Sequence, residues 1–217
     1  MPKVIYSMGG VSADGYVVGP DGKFDWSAPD EELHRFHNEQ TRALAGHLLG
    51  RRLYETMVYW ETADEDPAAG DIVREFALIW QALPKVVFSR TLDSVEGANA
   101  TLAHDDLRAE LSSLQESVRG DVAVGGAELA GEAIRLNLID EYRLFVHPVA
   151  VGGGIPFFPR DHRVDLELVE TRTFSSRVVY LRYRPAGRGA GSGGRNPRTP
   201  ESRVRDARRR DAICRRS

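Results

Sequence analysis

The sequence predicts an α/β fold of three layers: a mixed, mostly parallel sheet with helices on both faces and an antiparallel hairpin at its carboxyl end. Three observations predict it. Residues 3–140 alternate short β-prone runs with stretches of helical periodicity, the order of β-α units. Val164–Phe174 and Arg177–Arg184 alternate apolar and polar residues on either side of Ser175-Ser176, as an antiparallel hairpin does. Between these parts, Val122, Ala123 and Val124 form a buried run that passes through Gly125-Gly126 into a helix. Leu129, Ala133, Ile134 and Leu136 give that helix one apolar face.

Taken in order, Lys3–Met8 is a strand ending in Gly9-Gly10, and Val11–Val18 is two β-prone pieces about an Asp14-Gly15 turn. Gly19–Gly22 is a second turn, leading into Phe24-Asp-Trp26. Pro29 with Asp30, Glu31 and Glu32 marks a helix start, and Leu33, Phe36, Thr41, Leu44 and Leu48 continue its inner face. Leu48-Leu49 also reads as the end of a short strand, with a second helix from about Arg52. Glu61–Pro67 is an acid-rich loop. Ile72, Phe76, Ile79, Trp80 and Leu83 mark a third helix that Pro84 stops. Lys85–Leu92 is a strand that leaves Ser89 and Arg90 in a loop at its carboxyl end. Asp105–Ser117 is a helix, and Glu141–Val151 a long strand broken by Pro148 and Gly152–Gly154.

Composition bounds the function. A hydrophobic fraction of 41% in 217 residues suffices for a full core, and no apolar run reaches membrane-spanning length. With no signal peptide in the reading, a cytoplasmic protein is expected. The one cysteine, Cys214, leaves no internal disulfide and no cysteine-based zinc site. From residue 185 onward, ten arginines against three acidic residues give +7, so a chain of net −3 leaves −10 for residues 1–184. That basic Gly/Pro-rich segment lacks large apolar residues and is expected to be a disordered tail on a single domain of residues 1–184. The acidic body offers no second basic patch, so nucleic acid is not an expected partner.

Gly125-Gly126 lets backbone approach a ligand with no Cβ in the way, and the unpaired N–H groups of the helix that follows favour a phosphate. A plain strand–turn–helix connection uses the same residues. The segment has neither a Walker lysine nor Gly-x-Gly-x-x-Gly spacing. His34 and His37 are three apart on a helix with no third ligand evident, so no metal is expected.

Five pieces in this order resemble the dihydrofolate-reductase-like family: Ser12-Ala-Asp-Gly15, Gly50-Arg-Arg-Leu-Tyr-Glu55, Val87-Phe-Ser-Arg90, Val124-Gly-Gly-Ala-Glu-Leu129, and Asp140-Glu-Tyr142 with His147–Gly154 and Pro156-Phe-Phe158. The resemblance spans residues 3 to about 184. It is nearest to stand-alone relatives of the carboxyl-terminal half of the bacterial riboflavin deaminase–reductase, the 5-amino-6-(5-phosphoribosylamino)uracil reductase of riboflavin biosynthesis. It implies a dihydrofolate-reductase-like fold, NADPH across the carboxyl ends of the strands, a small-molecule substrate and a homodimer formed through the late strands. It places the pyrophosphate on Gly125, Gly126, Ala127, Glu128 and Leu129. Arg51, Arg52, Ser89 and Arg90 would surround the adenosine end, where guanidinium forks suit a 2′-phosphate. Helix-surface salt bridges and a solvated strand end are the plain readings of those four residues.

The resemblance puts Ser12, Asp14 and Gly15 where nicotinamide meets substrate, with Asp14 as a positioning residue or general acid; Asp-Gly is also a common turn signal. Trp26-x-x-Pro29-x-Glu31 resembles the segment of true dihydrofolate reductases that supplies the acidic pterin-binding residue, so Glu31 is a second catalytic candidate. A first-turn acid complementing the helix dipole is the alternative. Two departures bear on substrate. Val124 stands where the riboflavin reductases usually have a carboxylate, and Gly50–Glu55 stands where they have an acidic Ala-Asp-Asp-Pro-like stretch. A true dihydrofolate reductase and a non-catalytic nucleotide-binding module are the alternatives to the reductase.

Overall fold

A computed structural model describes residues 2–187, so the expected disordered tail lies outside the described residues apart from its first three. The strands are β1 (Val4–Ser12), β2 (Tyr16–Val18), β3 (Leu44–Gly50), β4 (Lys85–Phe88), β5 (Ala100–Leu102), β6 (Asp121–Gly125), β7 (Glu141–His147), β8 (Ile155–Pro156), β9 (Leu166–Thr173) and β10 (Val179–Pro185). The helices are α1 (Glu31–Arg42), α2 (Arg51–Met57), α3 (Asp71–Ala82), α4 (Leu107–Ser117) and α5 (Ala127–Arg135). Eight strands form one sheet in the order β5-β4-β3-β6-β1-β7-β10-β9, and β2 pairs with β8 in a small ribbon. Only β10 runs against its neighbours β7 and β9; every other pair in the sheet is parallel. The carboxyl ends of β4, β3, β6, β1 and β7 therefore share one edge.

Two-residue periodicity assigns the faces. Leu48, Val86, Val122 and Val124 point to one side, where they pack with Leu107, Leu111 and Leu114 of α4 and Leu129, Ala133 and Ile134 of α5. Leu49 and Val87 point to the other, against Tyr54 of α2 and Phe76 and Trp80 of α3. Further along that second face, Phe145 and Tyr180 meet Leu33 and Phe36 of α1. This is the three-layer α/β sandwich expected from the sequence. Each large side chain so buried stabilises it by about 1.5–3 kcal/mol before entropy is counted.

Some boundaries differ from expectation, for identifiable reasons. The first helix stops at Arg42, and Leu44 and Leu48 belong to β3. Leu48 and Leu49 are both 0% exposed; only a strand covered on both faces buries adjacent leucines so completely. Strand β1 does not end at Gly9-Gly10 but runs through a register shift between Met8 and Val11 to Ser12. A Cβ at Gly10 would lie 2.3 Å from that of Ser27, so glycine is what lets the 3-10 turn Asp25–Ser27 dock there. Strand β4 ends at Phe88 rather than Leu92, and β7 ends at His147 rather than Val151. The three-residue β5 was not expected; it is too short to show a period. Strand β10 reaches Pro185, and Ala186 N–H donates to Asp165 at 2.8 Å, two residues past the expected boundary.

Lys85 opens β4 at 1% exposure. Its Nζ donates to the carbonyls of Trp80 (2.7 Å) and Leu83 (3.0 Å) at the end of α3, and pairs with Glu61 at 3.3 Å. Burial pulls the Lys85 pKa down, and Glu61 pulls it back up. The ammonium thereby ties the end of α3 and the segment carrying Glu61 to β4. Lys85→Met removes it and leaves the nearly buried Glu61 carboxylate unpaired. We expect a loss of about 3 kcal/mol or more in urea unfolding; a loss below about 1 kcal/mol would show that the cluster carries no such load.

Candidate cofactor and substrate site

The glycine pair sits where β6 hands over to α5. Gly126 is the residue before the helix, at φ 90°, and gives it no side-chain cap. Gly50 occupies the same place before α2, also without a cap. A Cβ on Gly126 would stand 3.5 Å from both N and Cα of Gly50, so two backbones run side by side. A Cβ on Gly125 would come within 2.5 Å of Leu53 and 2.7 Å of His47 Nε2. By contrast, Asp30 caps α1 and Asp106 caps α4 through their carboxylates. Unsatisfied N–H groups at the positive end of α5 make the pair a place for an anion. Of the residues that follow, Ala127 is half-buried, Glu128 exposed and Leu129 part of the core.

The register brings the cationic residues beside it. Leu49 pairs with Gly125, and Gly50 with Phe88, so Arg51 and Arg52, Ser89 and Arg90, and the glycine pair follow three adjacent strand ends. Arg51 pairs with Glu55 at 2.8 Å and Arg52 with Glu128 at 3.1 Å. Both pairs are exposed and worth little in water, so a phosphate can displace the carboxylates cheaply. Ser89 Oγ accepts from the backbone N–H groups of Thr91 and Leu92, fixing its own turn. Arg90 is exposed and forms no ion pair among the described residues.

Ser12 and Asp14 lie at the end of β1 and act on each other. The buried Ser12 hydroxyl donates to Asp14 Oδ1 at 2.6 Å and accepts from Tyr16 N–H at 2.9 Å. The same carboxylate accepts from Val151 N–H (3.1 Å) and Gly152 N–H (2.7 Å). Gly15, at φ 91°, closes the turn onto Ser12 and accepts from Phe157 N–H. Asp14 thus ties the glycine-rich loop after β7 to β1. The Ser12 hydroxyl first, then the Gly152 and Val151 amides, hold its carboxyl below the usual carboxylate range. At neutral pH it has no proton to donate, which argues against general-acid duty. Glu31 is exposed and paired with Arg35 at 2.8 Å, one turn along α1; its carboxylate is engaged as a first-turn acid.

Four histidines carry contacts that the sequence did not announce. His147 pairs with Ser12, is 4% exposed, is bonded to the Gly9 backbone, and leaves Nε2 buried without a partner. The Trp26 ring stands edge-on to it at 5.8 Å. His37 packs on Phe145 at 4.3 Å, and burial pushes its pKa down to about 3. His34 meets Trp60 and Phe76 at 5.9 and 6.0 Å. His47 lies against Trp80, with neither ring nitrogen partnered and its pKa pushed down by burial to about 4. His147 lay within a motif quoted above, but its orphaned nitrogen is a tertiary fact. No group of three or more His, Cys, Asp or Glu side chains able to hold a metal is found among the described residues.

The Asp14 tie has a checkable consequence. Its pKa is lowered on folding, so the tie is complete above the unfolded value of about 3.9 and is lost as pH falls through the lowered one. Between about pH 5 and 9 it should be constant. At neutral pH, Asp14→Ala should expose the 149–154 loop to a protease severalfold faster while leaving the sheet intact by circular dichroism. An unchanged cleavage rate would show that the loop holds without it.

Comparison with known proteins is consistent with this architecture. The chain is 34% identical over 177 residues to the uncharacterized protein YyaP of Bacillus subtilis, covering 80% of this chain and 90% of that one. It is 27% identical over 176 residues to YwjB of the same organism, covering 80% and 92%. Among solved structures, RibD of Acinetobacter baumannii superposes with a TM-score of 0.62 at 15% identity, covering 85% of this chain and 58% of that one. A pyrimidine reductase-like protein of Corynebacterium diphtheriae superposes at 0.58 with 12% identity, covering 85% and 92%. These superpositions show the dihydrofolate-reductase-like fold. The sequence from residue 2 to residue 180 matches the RibD C-terminal domain, and the chain belongs to that family.

Proposed function

We propose that the protein is a reductase in which bound NADPH supplies the hydride that reduces a C=N bond of a pyrimidine- or pterin-like compound. The observation that carries this reading is the row of three strand ends, where an uncapped helix start and three arginines converge beside Gly125-Gly126. The donor set fits a phosphorylated dinucleotide. Amides of the α5 start would hold the pyrophosphate, and Arg51, Arg52 and Arg90 with Ser89 would take the adenosine end and its 2′-phosphate. Ser12, Asp14 and Gly15 would shape the floor where cofactor meets substrate. The protein's work is to bind, orient and keep water out.

Membership of the RibD C-terminal domain family supports a reductase of the kind found in riboflavin biosynthesis. A true dihydrofolate reductase needs Glu31 to face the pocket, and its exposed carboxylate beside Arg35 on the outer side of α1 disfavours it. No described helix is long and apolar enough to cross a membrane. A homodimer would form on the edge strand β9, where Leu168 and Val169 are 52% and 46% exposed.

Cofactor choice tests the reading. NADPH should bind at least about tenfold, or 1.4 kcal/mol, more tightly than NADH in calorimetric titration. Arg90→Ser should shrink that ratio without changing the melting temperature, since Arg90 is exposed. NADPH should then be consumed in the presence of a pyrimidine or pterin acceptor. Equal affinity for the two cofactors would contradict the assignment of the arginines.

A further inference from the structure

The carboxyl edge of the sheet is divided by charge. Arg51, Arg52 and Arg90 all follow β3 and β4. The opposite part, on the sheet face covered by α1 and α3, is lined by rings. Four of the chain's six histidines lie on that face. Phe145 and His147 share it by strand periodicity, as do His47 and Leu49. His34 and His37 reach it from α1, Trp60 from the segment after α2, and Trp26 from its 3-10 turn.

The cations on the bounding helices and strands are engaged elsewhere. Arg35 and Arg42 are exposed on the side of α1 turned away from Leu33 and Phe36, Lys85 is buried against Glu61, and Arg143 is held by Glu141. Arg74 of α3 donates to the carbonyls of Asp66, Pro67 and Ala69. Burial lowers the pKa of all four histidines, so this wall is neutral at neutral pH. A phosphate carried into it would meet no free guanidinium or ammonium on these elements and would lose its water without replacement. A planar uncharged ring would lose little and would gain ring contacts.

One atom narrows the class further. His147 uses one ring nitrogen toward the Gly9 backbone, which leaves Nε2 as the lone-pair acceptor of a neutral imidazole. A buried acceptor without a donor is costly, and a ligand N–H would satisfy it. Trp26, on a three-residue turn at the surface, is the group a ligand would have to pass.

We propose that the substrate of this site is an uncharged planar heterocycle bearing a ring N–H and no phosphate, held among Trp26, Trp60 and His34 with its N–H directed at His147 Nε2. The proposal rests on the reductase reading and narrows it, since the phosphoribosylated pyrimidine of riboflavin biosynthesis would be excluded.

The test is calorimetry on the full chain. NADPH is titrated first and alone, so that failure of the cofactor reading is seen separately. The protein saturated with NADP+ is then titrated with two matched pairs, a pyrimidinedione riboside and a pterin riboside, each with its 5′-phosphate. We expect at least one unphosphorylated member to bind at least tenfold more tightly than its phosphate. Trp26→Leu should weaken that binding at least tenfold and leave NADPH affinity unchanged; His147→Gln, if folded, should do the same. Equal or tighter binding of the phosphates, no binding by any of the four, or binding indifferent to Trp26 would overturn the proposal.

Discussion

The contact between Gly126 and Gly50 is the constraint on which the site depends. A Cβ on Gly126 would touch backbone atoms of Gly50 at an ordinary contact distance of 3.5 Å, so what calls for glycine is φ 90°, a conformation that side-chain-bearing residues adopt only with strain. That geometry sets the starts of α2 and α5 beside each other at the carboxyl edge. Parallel pairing of β3 with both β4 and β6 is what delivers the two glycines there. Everything assigned to the cofactor end hangs on this closeness: uncapped N–H groups, the arginines of α2, and the turn after β4.

Electrostatics then separates what each part of the edge can do. Where helix starts and arginines gather, the exposed carboxylates of Glu55 and Glu128 hold the cations loosely. Where α1 and α3 cover the sheet, charge has been removed: histidines are kept neutral by burial, and Lys85 is tied to two carbonyls and Glu61. Asp14 stands between these regions and stays ionised because three donors surround it. Its load is mechanical, joining β1 to the glycine loop. A carboxylate held ionised in that way has no proton to supply at neutral pH.

Much of this was legible in the residues. Leu-Leu before Gly50, Pro84 after the third helix, and the alternation on either side of Ser175-Ser176 are local signals, and local signals fixed those elements. The strand–Gly-Gly–helix unit was legible because three apolar residues, two glycines and a helical period leave few alternatives. The end of α1 was not legible, because Leu44 and Leu48 also fit a continued helical face. Tertiary coverage of both faces of β3 decided for a strand. Partners far apart in sequence were equally out of reach. Neither Asp14 with Gly152 nor His147 with Gly9 is signalled by spacing, and Glu31 looked the same in sequence whether it met a ligand or Arg35. The cluster of neutral imidazoles arises only when β3, β7 and α1 are brought onto one face.

The central claim is that the start of α5 is a phosphate cradle. Backbone amide resonances of an isotopically labelled protein, followed through an NADPH titration, test it most directly. The account predicts large, saturable shifts at Gly126, Ala127 and Glu128, with smaller ones at Arg51 and Arg90. Saturable binding with those amides unmoved, and shifts centred elsewhere on the sheet, would contradict it.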